Sequence, residues 1–344
     1  MSNPSHLVVF TNAFPTDSVS EVTFVGPELF ELSRVFDQIL VVPDIVGAVV
    51  YPLPEGAITV DQTYPTIVHP NSIWERSGFA VRGMSRPWCW REITSKPVLL
   101  GNPRMLGRVV YCVEAARRTG AWLTELLADG HFDPRKTLVY TFWLDYRTAG
   151  AGLARRRFPE LKIVSRAHGT DVYEDRHPLS YLPLRGRAVA TANQVVVVSE
   201  AAREHLQRRY PAHREKIRVA PLGTPDPGFG CPPSTDGVMR IVSCSRIVPM
   251  KRIDLLIDAL ALVHGELVET HLEWHHLGGG EEQRRVEAHA AASLPDGVGW
   301  SVSGMIPPER VLSFYRDHPV DLFVSVSASE GKPVSIMEAQ SVSI

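Results

Sequence analysis

Leu222-Gly223-Thr224-Pro225-Asp226-Pro227-Gly228-Phe229-Gly230-Cys231-Pro232-Pro233-Ser234-Thr235-Asp236-Gly237 decides how this chain is organised. Half of these positions are Gly or Pro, a density of backbone breakers that suits a linker and neither helix nor strand. On its N-terminal side, short apolar runs alternate with helical spacing. Leu7 to Phe10, Ile39 to Val42, Thr137 to Thr141, Ile163 to Ala167, Gln194 to Ser199 and Lys216 to Val219 read as strands, and Pro27 to Phe36 as a helix. Ser199 suits an N-cap, with Glu200 in the first turn where the helix dipole favours an acid. On the C-terminal side a second series begins. Ile241 to Ser243, Leu272 to Leu277, Gly299 to Val302 and Asp321 to Val326 read as strands, with helices through Ile253 to Leu260, Pro308 to Tyr315 and onward from Val334. Strand, helix, strand in repeated order is the mark of a parallel sheet. Two α/β, doubly wound domains facing a cleft follow, with ligands expected beyond the C-terminal ends of the strands.

The boundaries are then 1–222 for the first domain, 223–237 for the Pro/Gly-rich linker and 238–344 for the second. Residues 72–103, with Trp74, Trp88 and Trp90, read as helical hairpins or an insertion facing an acceptor, and 45–135 carries no recognisable motif. The chain stops at Ile344, about ten residues into its last helix, so the second domain reads as incomplete at its C-terminus, a truncated form.

Composition narrows the class. The 344 residues suit two domains, and a 44% apolar share is ordinary for a globular protein. With 36 basic and 38 acidic side chains the net charge is -2, so no global field draws in nucleic acid or an anionic membrane. Cys89, Cys112, Cys231 and Cys244 are scattered, which argues against a zinc site or a disulfide framework and fits a reducing, cytoplasmic setting. No apolar run reaches the roughly 18 residues of a membrane span. Peripheral contact with the inner face of a membrane stays open, because a small patch can provide it.

Four segments could carry chemistry. In Ser329-Glu330-Gly331-Lys332-Pro333-Val334-Ser335-Ile336-Met337-Glu338-Ala339, Glu330 sits in a strand-to-helix loop, Gly331 permits close backbone approach and Pro333 suits a helix start. The helix N-terminus offers N–H groups to an anion, and Glu338 lies about a turn and a half further on. Two carboxylates so placed can accept hydrogen bonds from sugar hydroxyls, though the spacing equally suits two surface glutamates. In Ser245-Arg246-Ile247-Val248-Pro249-Met250-Lys251-Arg252, Arg246 and Lys251 bracket a loop at a strand end. There a bidentate fork and a mobile point charge could neutralise a diphosphate, or form a basic surface turn. His168, in Arg166-Ala167-His168-Gly169-Thr170-Asp171, ends another strand. Leu277-Gly278-Gly279-Gly280 would let a base or phosphate approach the backbone but lacks full GxGxxG spacing, which weakens a nicotinamide-cofactor reading. His271, His275 and His276 have no metal spacing and read as ordinary strand residues.

In order and spacing these segments resemble the family-4 retaining glycosyltransferases of the GT-B fold, two Rossmann-like domains. Arg166 to Tyr173, Val196 to Glu200, Pro221 to Gly223, Ser245 to Leu255, Leu277 to Glu281 and Ser329 to Ala339 match, the last with an E-x7-E pair at Glu330 and Glu338. Phe10 to Glu28, with Asn12, Pro15 and Glu21, looks like the start of members acting in exopolysaccharide or O-antigen assembly. The resemblance implies a hexosyltransferase-type enzyme that moves a sugar from a nucleotide-diphosphate-sugar to a glycan or lipid-linked acceptor with retention. Arg246 and Lys251 would hold the diphosphate and Glu338 the ribose. Glu330, with the backbone of Gly331 and Lys332, would hold the transferred sugar. Met305 or Ile306 would lie by the base, and His168 by the reacting sugar. Such enzymes are thought to react by front-face displacement, the diphosphate helping to take the acceptor proton, with no metal and no cofactor besides the UDP- or GDP-type donor.

The sequence departs from the pattern at Ser245 and Arg252, where relatives carry Gly, and at Lys332, where they carry an apolar residue. Lys332 would favour a donor sugar bearing a carboxylate. Two other readings stay in view: another GT-B enzyme such as a sugar-nucleotide epimerase, which would need carboxylates and His placed for proton abstraction, and a truncated, non-catalytic donor-binding remnant.

Overall fold

A computed structural model describes residues 4–16, 21–53, 56–266, 271–330 and 332–344. The chain divides into two compact units, Met1–Pro221 and Leu222–Ile344. Residues 223–237 form neither helix nor strand. Their second half is hydrogen-bonded into the second unit, through Cys231 N–H to the Val342 carbonyl (2.7 Å) and Ser234 N–H to the Asp321 carboxylate (2.9 Å).

The first unit holds seven parallel strands: β1 His6–Thr11, β2 Gln38–Pro43, β3 Ile58–Val60, β4 Thr137–Thr141, β5 Lys162–Ala167, β6 Gln194–Val197 and β7 Ile217–Val219. Their order is β3-β2-β1-β4-β5-β6-β7, so the winding reverses between β1 and β4. The apolar runs are continuous because both faces are covered. Val8, Phe10, Leu40 and Val42 pack into a core with Val109, Val113 and Leu123 of the helix Pro103–Ala128. Leu7, Val9, Ile39 and Val41 pack on the other face with Val25 and Leu29 of the helix Val22–Leu32.

That helix corrects the expected Pro27–Phe36. It begins five residues earlier and contains Pro27, because burying Val25 and seating Val22 and Phe24 against the sheet outweighs the local signal of Gly26-Pro27. Residues 72–103, expected as helical hairpins or an insertion, are mostly helical: Ile73–Met84, Pro87–Ser95 and a 3₁₀ turn Pro97–Gly101, followed by the long helix from Pro103, whose N-cap Asn102 accepts the Met105 N–H (3.0 Å).

Glu21, only 1% exposed, organises the loop after β1. Its carboxylate accepts the backbone N–H groups of Asn12 (3.0 Å), Ala13 (2.7 Å) and Phe14 (2.9 Å), and the Trp143 indole N–H. The Phe14–Pro15 peptide bond in this loop is cis. Removing the carboxylate leaves buried donors without an acceptor. Glu21→Ala is expected to cost about 2–3 kcal/mol, read as a Tm lower by roughly 5–10 °C for the first unit's transition.

The second unit holds four parallel strands: β8 Val238–Cys244, β9 His271–Leu277, β10 Val298–Val302 and β11 Leu322–Phe323, in the order β10-β9-β8-β11. Here the winding reverses between β8 and β11. Ile241, Leu272, Trp274 and Val298 pack with Ile253, Leu256, Ile257 and Leu260 of the helix Ile253–His264. Val242 and Leu277 pack on the opposite face with Val311, Tyr315 and Val342. β11 is shorter than the expected Asp321–Val326. The chain beyond it is bonded to the β8 side through separate contacts, among them Val324 N–H to the Val242 carbonyl (2.8 Å) and Ala328 N–H to the Met250 carbonyl (2.9 Å).

Candidate functional site

The two neighbouring strands at the second unit's reversal, β8 and β11, deliver the segments that sequence singled out. The loop after β8 carries Arg246 and, in the 3₁₀ turn Pro249–Lys251, Lys251. The chain after β11 carries Glu330, and the helix Val334–Ser341 carries Glu338. Crevices outside such reversals are where open α/β sheets bind ligands, because the diverging loops leave room between them.

Three links stitch these loops together. Lys251 Nζ is ion-paired with the Glu330 carboxylate. Ala328 N–H donates to the Met250 carbonyl, and Arg252 Nε–H donates to the Val326 carbonyl (2.7 Å). Glu330 and Lys251 were expected to touch different parts of one ligand; here each is the other's counter-ion. Both remain about a quarter exposed, at 27% and 23%, so a competing anion can reach the lysine. Arg246 is exposed and, among the described residues, its guanidinium has no ion-pair partner. Lys332 is exposed as well. Gly331 lies outside the described residues.

Glu338 is 9% exposed, and burial lifts its carboxyl from the ordinary 4.5 to about 7. It stands close enough to Cys244, at the end of β8, to add to that thiol's rise to about 12, which burial dominates and Lys251 opposes. Lys251, Glu330, Cys244 and Glu338 therefore share one strand end. Met305 is exposed, whereas Ile306 is half-buried against the core around Tyr315 and Val311.

Arg252 takes a left-handed conformation at φ 49°, ψ 44°, immediately before the helix Ile253–His264. An L side chain there carries a backbone cost that glycine would not, which agrees with the glycine that the resemblance implies at this place. The Arg252 bond to Val326 is the compensation in this chain. Arg252→Ala and Arg252→Gly both lose that bond, but only alanine keeps the strain. The glycine variant is expected to be the more stable by about 1 kcal/mol, measurable in paired urea melts.

The glycine run has a different role from the one expected. A Cβ on Gly278 would lie 2.0 Å from the Ser245 carbonyl oxygen, on Gly279 2.7 Å from the Met305 nitrogen, and on Gly280 2.3 Å from the Ile247 carbonyl oxygen. The room that a base or phosphate was expected to use is filled by the backbones of the neighbouring loops. The run packs the turns after β8, β9 and β10 against one another, with Ile247 N–H on the Gly279 carbonyl (2.9 Å) and a Gly278–Gly304 bridge. Beneath it lies a buried network that no local pattern in the sequence signals. Trp274 Nε1–H donates to Ser243 Oγ (3.0 Å), Ser243 meets His276 Nδ1 (2.8 Å), and His276 Nε2 reaches the Ser245 carbonyl (3.1 Å). His276 and His275, the latter on Ser301 and Glu273, thus have strand-bracing partners.

In the first unit, His168 follows β5 and lies against Phe142 and Trp143, at ring-centre distances of 4.8 and 4.6 Å. Burial, with Arg166 beside it, lowers its pKa to about 3, so the ring stays neutral. Neither ring nitrogen has a hydrogen-bond partner among the described residues. Its neighbours are structural. Arg166 joins Tyr140, Glu28 and the Ala220 carbonyl, and Asp171 accepts the N–H groups of Leu144 and His168.

Residues 138–226 match the family Glycosyltransferase Family 4, and residues 233–344 match the family Glycosyl transferases group 1. With the two doubly wound parallel sheets, these matches make the chain a glycosyltransferase of the GT-B fold. Among solved structures it is similar to the lipopolysaccharide outer core galactosyltransferase WaaB in its apo form, at 15% identity and TM-score 0.62, covering 98% of this chain and 78% of that one. It is also similar to the catalytic domain of starch synthase IV from Arabidopsis thaliana bound to ADP and acarbose, at 12% identity and TM-score 0.59, covering 98% and 81%. A third is an E. coli structure described as trehalose-6-phosphate bound with UDP-2-fluoro glucose, at 11% identity and TM-score 0.58, covering 98% and 82%. No curated protein matches the sequence. Among the described residues no helix is long and apolar enough to cross a membrane.

Proposed function

We propose that this glycosyltransferase moves a sugar from a nucleotide-diphosphate-sugar to a glycan or lipid-linked acceptor, with retention of anomeric configuration, in cell-surface polysaccharide synthesis at the cytoplasmic face of the membrane. The observation that carries the donor site is the convergence of Lys251, Glu330 and Glu338 at the β8/β11 reversal, with exposed Arg246 in the same loop. Arg246 and Lys251 take the diphosphate, whose growing charge they neutralise as the bond to the sugar breaks. The incoming phosphate competes with Glu330 for Lys251, and the released carboxylate accepts hydrogen bonds from hydroxyls of the transferred sugar, to which the backbone N–H groups of Gly331 and Lys332 donate. Glu338 accepts the ribose hydroxyls, Met305 and Ile306 lie by the base, and neutral His168 serves the reacting sugar as a hydrogen-bonding ring. Lys332 would favour a uronic-acid donor.

The test is a panel of UDP-, GDP- and ADP-sugars, neutral and uronic, offered with lipid-linked acceptors, and NMR of the product's anomeric proton. A product of inverted configuration removes the retaining reading. Equal preference among neutral and uronic donors in Lys332→Ala and the unaltered chain removes the role of Lys332.

Glu338 gives the site a pH dependence. Its folded-state pKa of about 7 lies above the ordinary 4.5, so the neutral form favours the fold. That contribution is complete below about 4.5 and is lost as pH rises through 7. Without nucleotide, the chain is expected to lose up to about 3 kcal/mol between pH 5 and 8.5 from this group, a slope absent in Glu338→Gln. Nucleoside diphosphate binding should run the other way. It tightens as Glu338 ionises and can accept both ribose hydroxyls, whereas in the glutamine variant it is weaker and flat with pH. Urea melts from pH 5 to 8.5 without nucleotide read the stability slope, and calorimetric titrations at pH 6 and 8 read the affinities.

A further inference from the structure

The first unit contains a cavity of about 410 Å³ lined by Arg86, Pro87, Trp88, Arg91, Val113, Arg117, Leu153 and Arg156, of which four are arginines. A fifth, Arg187, lies 3.8 Å from the centre of the Trp88 ring. Leu153 is in the last turn of the helix Tyr146–Ala154 and Arg156 lies two residues beyond it; this helix leaves the C-terminal edge of the sheet after β4 and runs back towards the N-terminal ends of the strands. The cavity is therefore remote from the β1/β4 reversal.

Counter-charge is scarce here. Glu114, fully buried, holds Arg117 bidentately at 2.9 Å and lies near Arg82 and Arg118. Arg86, Arg91, Arg156 and Arg187 have no ion pair among the described residues. The other nearby carboxylate, Glu92, is engaged by the Tyr181 hydroxyl and by the Leu184 N–H (3.2 Å). Arg86 Nε is buried without a partner. Burial, then the charges of Arg91 and Arg156, lower the pKa of Arg187, with Glu92 opposing. Arg86 is also the N-cap of the helix Pro87–Ser95, and no side chain caps that end. Converging guanidinium forks, a buried N–H donor and an open helix start form a cradle for a tetrahedral oxyanion.

We propose that this pocket binds the phosphate group of a phosphorylated ligand, at a site separate from the sugar-donor site. The volume admits a phosphate together with a small substituent. The phosphate could belong to a soluble compound or to a lipid headgroup. The exposed Trp90 on the same helix, with Val98 and Leu100 beyond it, would meet a bilayer.

The experiment uses the full chain carrying Arg246→Gln and Lys251→Gln, which removes the proposed diphosphate contacts of the donor site, so its outcome is independent of that reading. Inorganic phosphate and pyrophosphate are titrated calorimetrically, and sedimentation is measured with phosphatidylglycerol and with phosphatidylcholine vesicles. The expected result is one saturable pyrophosphate or phosphate site per chain, or selective phosphatidylglycerol binding. Either should weaken at least tenfold on adding Arg86→Gln, Arg91→Gln and Arg156→Gln. Response to the soluble anions alone assigns a soluble ligand, and response to vesicles alone assigns a headgroup. Arg91 and Arg156 are exposed, so the pair Arg91→Gln/Arg156→Gln keeps the fold if the triple variant does not, with the same direction expected. Arg203→Gln/Arg208→Gln/Arg209→Gln, on another helix, controls for general charge. No saturable binding, binding unchanged by the pocket substitutions, or an equal loss in the control overturns the proposal.

Discussion

Gly278→Ala is expected to unfold the second unit or leave it severely destabilised, by more than about 4 kcal/mol. Two costs coincide at this residue. Its φ is +140°, a conformation that L side chains rarely adopt, and an added Cβ would meet the Ser245 carbonyl oxygen at 2.0 Å. Backbone on both sides cannot yield by a rotamer change. Ser245 is fixed by its own N–H on the Leu277 carbonyl (3.2 Å), and its carbonyl is reached by His276. Relief would require moving the loop after β8 away from β9, and that loop carries Arg246 and Lys251. Two-transition thermal melts should show the second unit's transition lost or strongly lowered while the first unit's is unchanged. A shift of the second transition by less than about 3 °C would show that the loops are not locked as described.

Lys251→Ala is expected to lower kcat/KM about 10²–10³-fold, the range for removing one fixed positive contact from developing charge. The stability cost should be small, within about 1 kcal/mol, because the ion pair with Glu330 is part-exposed and screened. The variant tests function and little else. The free Glu330 carboxylate then faces the incoming diphosphate uncompensated, so nucleoside diphosphate affinity should fall too. Glu330→Gln separates the two effects. It leaves Lys251 unpaired and better able to bind phosphate, so diphosphate affinity should hold or rise while kcat drops. Equal loss of diphosphate affinity in both variants would mean that the pair acts only as a brace between loops.

The sheets were legible for a clear physical reason. Buried parallel strands such as Leu7 to Phe10, Ile39 to Val42 and Ile163 to Ala167 read as continuous apolar runs. β3 was not read, because Ile58–Val60 is three residues long and is only partly covered at the sheet's edge. The helix Pro103–Ala128 was not read either. Its buried face includes Glu114, Thr119 and Gly120, which blur the apolar stripe, and their burial depends on partners distant in sequence, such as the Tyr64 hydroxyl on Thr119 (2.8 Å). In the sequence Glu21 stands out only through a resemblance, because its task of holding three backbone N–H groups is set by a loop that closes only in three dimensions.

By itself the sequence determined the alternation of strand and helix, the Pro/Gly break near residue 222, and which charged residues follow which strand, because each of these rests on local pattern and chain order. The tertiary structure decided the rest. Strand order placed β8 beside β11, and only that adjacency brings Lys251 to Glu330 across 79 positions of chain. Packing turned a glycine run that looked fit for a ligand into the contact surface of three turns, and burial alone moved Glu338 to the edge of neutrality. Steric room and dielectric environment belong to neighbours in space, and local sequence does not specify them.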